Sequence, residues 1–111
     1  MLSRNCTFDT YRRAAGGTGR SYSGTKTITG GMGYVEALSG ELRSVLGIDN
    51  SVQGFQLMTE ASDFQIRDKV DVTQKTRSGD VTGTYYVHGI EPFYQNALTL
   101  CLVTLLKTES I

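Results

Sequence analysis

Apolar and polar residues alternate through most of the second half of the chain, which is the period of β-strands rather than of helices. In residues 63–72 every even position is apolar except Asp68, and every odd position is polar. Residues 84–90 are rich in aromatic and β-branched side chains, which favour strands. Residues 97–107 alternate again, and this pattern favours a central strand, although its leucines would also suit a helix.

The remaining elements are predicted to be short. Residues 6–12 and 54–61 have strand patterns, and Ser78, Gly79 and Asp80 form a turn signal that predicts a hairpin. Only residues 40–46 have a helical pattern, of one or two turns. The sequence therefore predicts a mainly β protein, a small β-barrel or sandwich with one long glycine-rich loop and at most one short helix.

The chain has 111 residues, which is enough for one domain with its own core, so we expect residues 1–111 to form a single β-barrel domain. No apolar run approaches the ~20 residues that a membrane helix needs. The first residues lack the apolar core of a signal peptide. We therefore expect a soluble protein that is made in the cytoplasm and has no membrane partner.

Residues 16–33 stand out because seven of their eighteen residues are glycine and most others are Ser, Thr or basic. Such a segment buries little apolar surface against the entropy of ordering it. It is predicted to be a long mobile loop, inserted at about residues 16–33, or an extended hairpin. A phosphate-binding loop is disfavoured, because the first glycine of that motif is missing at the required spacing.

Charge is unevenly distributed although the net charge is zero. Residues 1–30 carry a net charge of +4, and residues 31–71 carry −4. This asymmetry suits proximity to nucleic acid or head-to-tail self-association. Composition alone favours a third interpretation, a solvated surface with charges clustered by chance.

Candidate chemistry is sparse, and the sequence predicts no enzyme activity, no metal and no cofactor. His88 is the only histidine, and no set of nucleophile, base and orienting group can be assembled around it. Cys6 and Cys101 lie in the predicted first and last strands, which would be neighbours if the sheet closes. In a reducing compartment they are interpreted as buried apolar residues, with a disulfide as the less favoured alternative.

Four aromatic residues could form a base-stacking platform like those of OB-fold proteins. They are Tyr85, Tyr86, Phe93 and Tyr94. The favoured interpretation is packing in the barrel or contact between subunits. The platform nevertheless keeps open a second class of function, an OB-like single-domain nucleic-acid-binding protein.

Two segments of residues 55–107 carry a family resemblance. FQIRDKV, at residues 64–70, is similar to a pattern (I/V)-x-x-G-D-x-(V/L), with Phe64 in the aliphatic place and Arg67 in place of the glycine. GTYYVHGI, at residues 83–90, is similar to G-x-x-Y-x-V-x-G-(I/V), with one residue fewer between Gly83 and Tyr85. An aliphatic strand then closes the chain. In this order the segments resemble the head–tail connector family of tailed bacteriophages, the stopper or head-completion proteins of siphovirus-type necks.

The resemblance implies a small β-barrel that assembles into a ring, six- or twelve-fold, below the portal–adaptor complex. Such a ring closes the DNA channel after packaging and provides the docking surface for the tail. The implied partners are the portal or adaptor protein, the tail or tail-terminator protein and the packaged double-stranded DNA. The implied location is the neck of the virion. A tail-terminator-type ring protein would fit the same observations.

Two sets of candidate site residues follow. The glycine-rich segment, with its basic residues, could reach toward DNA in the channel, and its candidate residues are Gly17, Gly19, Arg20, Lys26, Gly30 and Gly31. The charge asymmetry supplies candidates for complementary faces between subunits, and these are Arg12, Arg13, Glu36, Glu41, Asp68 and Asp71.

Overall fold

Six antiparallel strands close into a barrel in the order β1-β2-β3-β6-β5-β4. A computed structural model describes residues 4–13, 22–48, 53–95 and 98–107. Within these ranges the elements are β1 (Cys6–Arg13), β2 (Tyr22–Ala37), α1 (Gly40–Leu46), β3 (Gly54–Thr59), β4 (Lys69–Thr76), β5 (Gly79–Gln95) and β6 (Leu98–Leu106). The predicted fold class is confirmed, and of its two forms the chain adopts the barrel. The predicted helix has the observed bounds.

The barrel interior is filled by alternate residues of the strands, as the period of two requires. In β6, for example, Cys101, Val103 and Leu105 are buried in the central cluster. The other core residues come from the remaining strands and one connection, and they include Cys6, Phe8, Val35, Leu57, Phe64, Val70, Val72 and Val87. A second, smaller cluster joins Leu38, Ile48 and Leu106, where the segment around α1 packs on the barrel.

The predicted hairpin is present between β4 and β5. Thr76 pairs with Gly79, which leaves Arg77 and Ser78 as a two-residue connection. Gly79 has a φ of 120°, in a region that favours glycine. The turn signal in the sequence therefore marked the hairpin correctly.

The predicted strand over residues 63–72 is wrong in its first half. β4 begins at Lys69, and the chain turns at Ile66 and Arg67. Ile66 is 50% exposed although its position in the alternation predicts burial. Arg67 has a φ of 76°, and the carboxylate of Asp68 accepts a hydrogen bond from the backbone N–H of Gln65. Local turn chemistry therefore overrides the period of two in this segment.

The loop interpretation of residues 16–33 is also corrected for the part that the structure describes. Residues 22–33 belong to β2 and pair with β1, as the hairpin alternative expected. Gly31 faces the Phe8 ring so closely that a Cβ there would lie 2.5 Å from a ring carbon. This glycine is thus required by close packing rather than by mobility. Residues 16–21 lie outside the described residues.

The two cysteines do not meet across a closing pair of strands, which corrects that expectation. β1 lies between β2 and β4, whereas β6 lies between β3 and β5. Both thiols are free and buried. Burial raises the pKa of Cys6 to about 11 and raises the pKa of Cys101 above its ordinary value. They act as packing residues of the core.

Candidate functional site

An arginine near the end of β1 holds the connection between β3 and β4. The Nε of Arg12 donates to Asp68 at 3.1 Å, and its Nη2 donates to the second Asp68 oxygen at 3.2 Å. The same Nη2 donates to the Asp63 carboxylate at 3.0 Å. The hydrogen bond to Asp68 raises the pKa of Arg12, and the bond to Asp63 adds to the effect. We call these three residues the Arg12 clasp.

The clasp fixes a turn against β5. Asp68 is 1% exposed, and its backbone carbonyl accepts a hydrogen bond from Val87 N–H at 2.9 Å. Arg67 N–H in turn donates to the Val87 carbonyl at 2.9 Å. The carboxylate of Asp68, a predicted subunit-interface residue, is therefore used inside the subunit and does not reach the surface.

Beside the clasp, three tyrosines and a lysine form a patch on the outer face of the barrel. The Nζ of Lys69 lies 4.5 Å from the ring centroid of Tyr11 and 5.5 Å from that of Tyr22. The rings of Tyr22 and Tyr86 are 6.1 Å apart. Strand register brings them together, because Lys69 pairs with Tyr11 on one side and with Tyr86 on the other. We call Tyr11, Tyr22, Lys69 and Tyr86 the Lys69 patch.

The Lys69 patch offers a cation and partly exposed aromatic faces at one end of the barrel. All four of its residues are half-buried. Arg13 and Tyr22, which flank residues 14–21 in the chain, are register partners at this end. A lysine ammonium held by aromatic rings can bind phosphate through its charge. It has no fixed set of hydrogen-bond donors that would distinguish one base from another. The patch can therefore contact a nucleic-acid backbone without sequence preference.

Three of the predicted channel residues lie in β2, and the other three, Gly17, Gly19 and Arg20, lie outside the described residues. Lys26 donates to the Asp9 carboxylate at 3.2 Å, and Gly30 N–H donates to the same group at 2.8 Å. The Gly30 bond is the main cause of the lowered pKa of Asp9, and the bond to Asp9 raises the pKa of Lys26. The charge of Lys26 is thus balanced within the chain, and Gly31 faces the core.

The predicted interface residues are spread over the barrel. Arg12 and Asp68 meet in the clasp, and Arg13 follows in β1. Asp71 is half-buried and accepts a hydrogen bond from the Thr84 hydroxyl at 2.8 Å. Glu36 and Glu41 are exposed at the far end of β2 and in the first turn of α1. Glu36 and Glu41 therefore lie toward the barrel end opposite the Lys69 patch.

The alternative of a four-residue stacking platform is wrong where the structure describes it, whereas the favoured interpretation, packing in the barrel, is correct for Tyr85. Tyr85 packs edge-on against Phe55, with centroids 5.2 Å apart, and Tyr86 contacts Tyr22 outside the barrel. Consecutive residues of a strand point to opposite faces, so these two rings cannot form one surface. The side chains of Phe93 and Tyr94 lie outside the described part of the chain.

Sequence reasoning missed Tyr11, Tyr22 and Lys69. Alternation along β1 puts Tyr11 on the other face of the strand from the buried Phe8 and Thr10, so its outward position could be predicted from the sequence. The pairing of β1 with β4 could not be predicted from the sequence, because more than fifty residues separate these strands. The patch is a product of this long-range register.

Other signals of function are sparse in the part of the chain that the structure describes. No group of three or more His, Cys, Asp or Glu there could hold a metal ion. None of the described helical segments is long and apolar enough to cross a bilayer. Comparison with family models, curated proteins and solved structures gives no match to this chain.

Proposed function

We propose that the chain is a structural protein of a bacteriophage neck, a head–tail connector of the stopper type. It assembles as a ring below the portal–adaptor complex, closes the DNA channel after packaging and provides the docking surface for the tail. The observation that carries the proposal is the spatial relation of the two segments that resemble the family, which form one continuous unit of the barrel wall.

The two segments are neighbours through backbone pairing. Val70, at the end of the first segment, pairs with Tyr85 in the second, and Lys69 pairs with Tyr86. Just before β4 in the chain, Arg67 donates a backbone hydrogen bond to Val87, and Asp68 accepts one from Val87. A turn, an aspartate and two paired strands thus occur in the order that the family patterns require.

The residue that departs from the family pattern also supports the assignment. Arg67 occupies the place of the glycine and has a φ of 76°. This left-handed conformation costs an L-residue about 1–2 kcal/mol and is the conformation for which glycine is favoured. The following Asp68 closes the turn through the Gln65 N–H at 2.8 Å. A glycine–aspartate pair would therefore suit this backbone, as the family pattern has it.

The distribution of charge suits a ring around DNA. The Lys69 patch provides a sequence-independent contact for phosphate at one barrel end, and phosphate contacts need only charge. Exposed acids, Glu36 and Glu41, lie toward the other end. Unlike surfaces on one subunit favour head-to-tail contacts, which close into a ring when the rotation permits.

The Lys69 patch also favours a second candidate, an OB-like nucleic-acid-binding protein. Its aromatic faces and cation are the components of a single-strand binding surface. The two functions differ in affinity, because a dedicated binder holds single strands as an isolated protein, whereas a connector contacts DNA only as an assembled ring. Fluorescence anisotropy with a labelled oligonucleotide at physiological salt separates them, and tight binding by the isolated chain would favour the second candidate.

Deletion of the gene in the phage that encodes the chain tests the first candidate. We expect separate heads and tails by electron microscopy, with heads whose DNA leaks and becomes sensitive to nuclease. Tails of normal length would distinguish a connector from a tail terminator, which ends tail growth. Complementation with the parent chain is the control. Intact, infectious particles without the protein would contradict the proposal.

A further inference from the structure

A second site lies at the barrel end opposite the Lys69 patch, where a cavity of about 210 Å³ opens between the ends of four strands. Gln53 precedes β3, Gln74 lies near the end of β4, Gly83 lies near the start of β5 and Lys107 follows β6. Val72, which is 1% exposed, contributes an apolar wall. The backbone N–H of Lys107 donates to the Gln53 carbonyl at 2.8 Å, which fixes two sides of the opening.

Most polar side chains in this cavity have no hydrogen bond or ion pair with another described residue; the exception is the Thr82 hydroxyl, which shares a hydrogen bond with Thr73 at 3.1 Å. In the described ranges, the side chains of Gln53, Gln74 and Tyr85 form no hydrogen bond and Lys107 forms no ion pair. None of the described residues that line the cavity carries a carboxylate. Burial raises the pKa of Tyr85, so its hydroxyl keeps its proton at neutral pH. The described lining therefore presents one cation, a phenol donor, two amides and the hydroxyl of Thr82.

Gly83 keeps the space between two of these donors open. A Cβ at this position would lie 3.3 Å from the Tyr85 hydroxyl and 3.4 Å from the Lys107 Nζ. The Lys107 ammonium and the Tyr85 hydroxyl thus both lie beside the position that a side chain would occupy at Gly83. The Lys107 Nζ is also held 5.0 Å from the Tyr85 ring centroid, which limits where its charge can lie.

We propose that this cavity binds a carboxylate whose short apolar stem lies against Val81, a lining residue that is 55% exposed. A carboxylate has one negative charge, which matches the one lysine, and two acceptor oxygens that suit the phenol and the amides. A phosphate dianion would leave one charge unbalanced in the cavity. The carboxylate belongs either to a free short-chain acid or to the end of a polypeptide, and both present the same chemistry.

Nuclear magnetic resonance titration of the ¹⁵N-labelled full chain with propionate tests this site, with chloride lowered to keep ionic strength constant. We expect saturable shifts of the Gln53 and Gln74 side-chain amides and of the Gly83 backbone amide. Lys107→Met keeps the alkyl stem, removes the charge and should weaken binding about tenfold or more, since bonds to charged groups contribute about 1.5–3 kcal/mol. The matched control is Lys75→Met, whose lysine is paired with Asp80. This variant should bind as the parent chain does.

A second variant and a peptide series complete the test. Gly83→Ala should block the site, and Gly24→Ala, where a Cβ meets nothing within 4 Å, should not. A tripeptide with a free C-terminus that binds tighter than propionate would assign polypeptide ends, and one that binds no tighter would assign free acids. Equal binding of the amidated tripeptide, tighter binding of inorganic phosphate, or unchanged affinity in Lys107→Met would overturn the proposal.

Discussion

Replacing Asp68 by asparagine tests whether the Arg12 clasp holds the turn before β4 through charge or only through shape. The amide has nearly the same size and can still accept the hydrogen bond from Gln65 N–H. It removes the negative charge that faces two nitrogen atoms of Arg12 at 3.1 and 3.2 Å. Asp63→Asn is the matched control, because Asp63 contacts the same guanidinium at 3.0 Å but has a 60% exposed side chain.

The structure sets the expected difference between the two variants. Hydrogen bonds to charged groups contribute about 1.5–3 kcal/mol each, and breaking a buried ion pair costs about 3–5 kcal/mol. The Arg12 side chain is 28% exposed, so water and Asp63 partly replace the lost partner. We expect Asp68→Asn to lower the free energy of unfolding by about 2–3 kcal/mol. Asp63→Asn should lower it by less than about 1 kcal/mol, as for exposed ion pairs.

Urea unfolding followed by circular dichroism gives both values. A double-mutant cycle with Arg12→Met separates the Arg12–Asp68 interaction from every effect of the amide that does not involve Arg12. The coupling energy from this cycle should account for most of the decrease in unfolding free energy caused by Asp68→Asn. Equal losses at Asp68 and Asp63, or a coupling energy near zero, would refute the argument that burial makes the Arg12–Asp68 pair the stronger one.

Three further predictions concern Gly31 in β2, the left-handed Arg67 and the buried thiol of Cys6. Gly31→Ala should destabilise by at least about 2 kcal/mol in urea unfolding, because its Cβ would lie 2.5 Å from the Phe8 ring, whereas Gly24→Ala should be neutral or stabilising. Arg67→Gly should be more stable than Arg67→Ala by about 1 kcal/mol, because only glycine relieves the φ of 76°, and equal stabilities would contradict this. Cys6, with a pKa of about 11 in the fold, should resist iodoacetamide at pH 8.5 until urea unfolds the chain, as measured by peptide mass spectrometry. Folding raises the pKa of Cys6, so the contribution of this thiol to the free energy of unfolding is complete below the unfolded pKa of about 8.5. That contribution is lost as the pH rises toward 11.

Strand prediction succeeded where alternation reflected burial on one face and failed where a local side chain competed with it. β6 was predicted from the alternation in residues 97–107, with Leu98, Leu100, Leu102, Leu106 and Thr104 on one face. The strand is present, but the central cluster takes the other face, Cys101, Val103 and Leu105. The segment 63–68 alternates equally well, yet the hydrogen bonds of Asp68 turn it into a loop. The high glycine content of residues 16–33 suggested a long mobile loop or an extended hairpin. At Gly31 the structure gives a different reason for glycine, because the Phe8 ring leaves no space for a side chain.

The candidate sites were less predictable than the fold. The charges of Lys26 and Asp68 were visible in the sequence, but their partners were not, and both are paired within the chain. The less favoured aromatic platform included two neighbours in sequence, Tyr85 and Tyr86, which lie on opposite faces. The residues that do meet, such as Tyr11 and Lys69, are distant in sequence and are joined by the β1–β4 pairing.

The sequence by itself determined the β class, the short helix, the hairpin after β4 and the strands at both ends of the described chain. These features depend on side-chain period, propensity and turn chemistry, which act between residues close in sequence. Only the tertiary structure decided the closure of the barrel, the partners of Arg12 and Lys69, and the cavity beside Gly83. Each of these depends on register between strands far apart in the chain, and a shift of one residue would move every side chain of a strand to the other face.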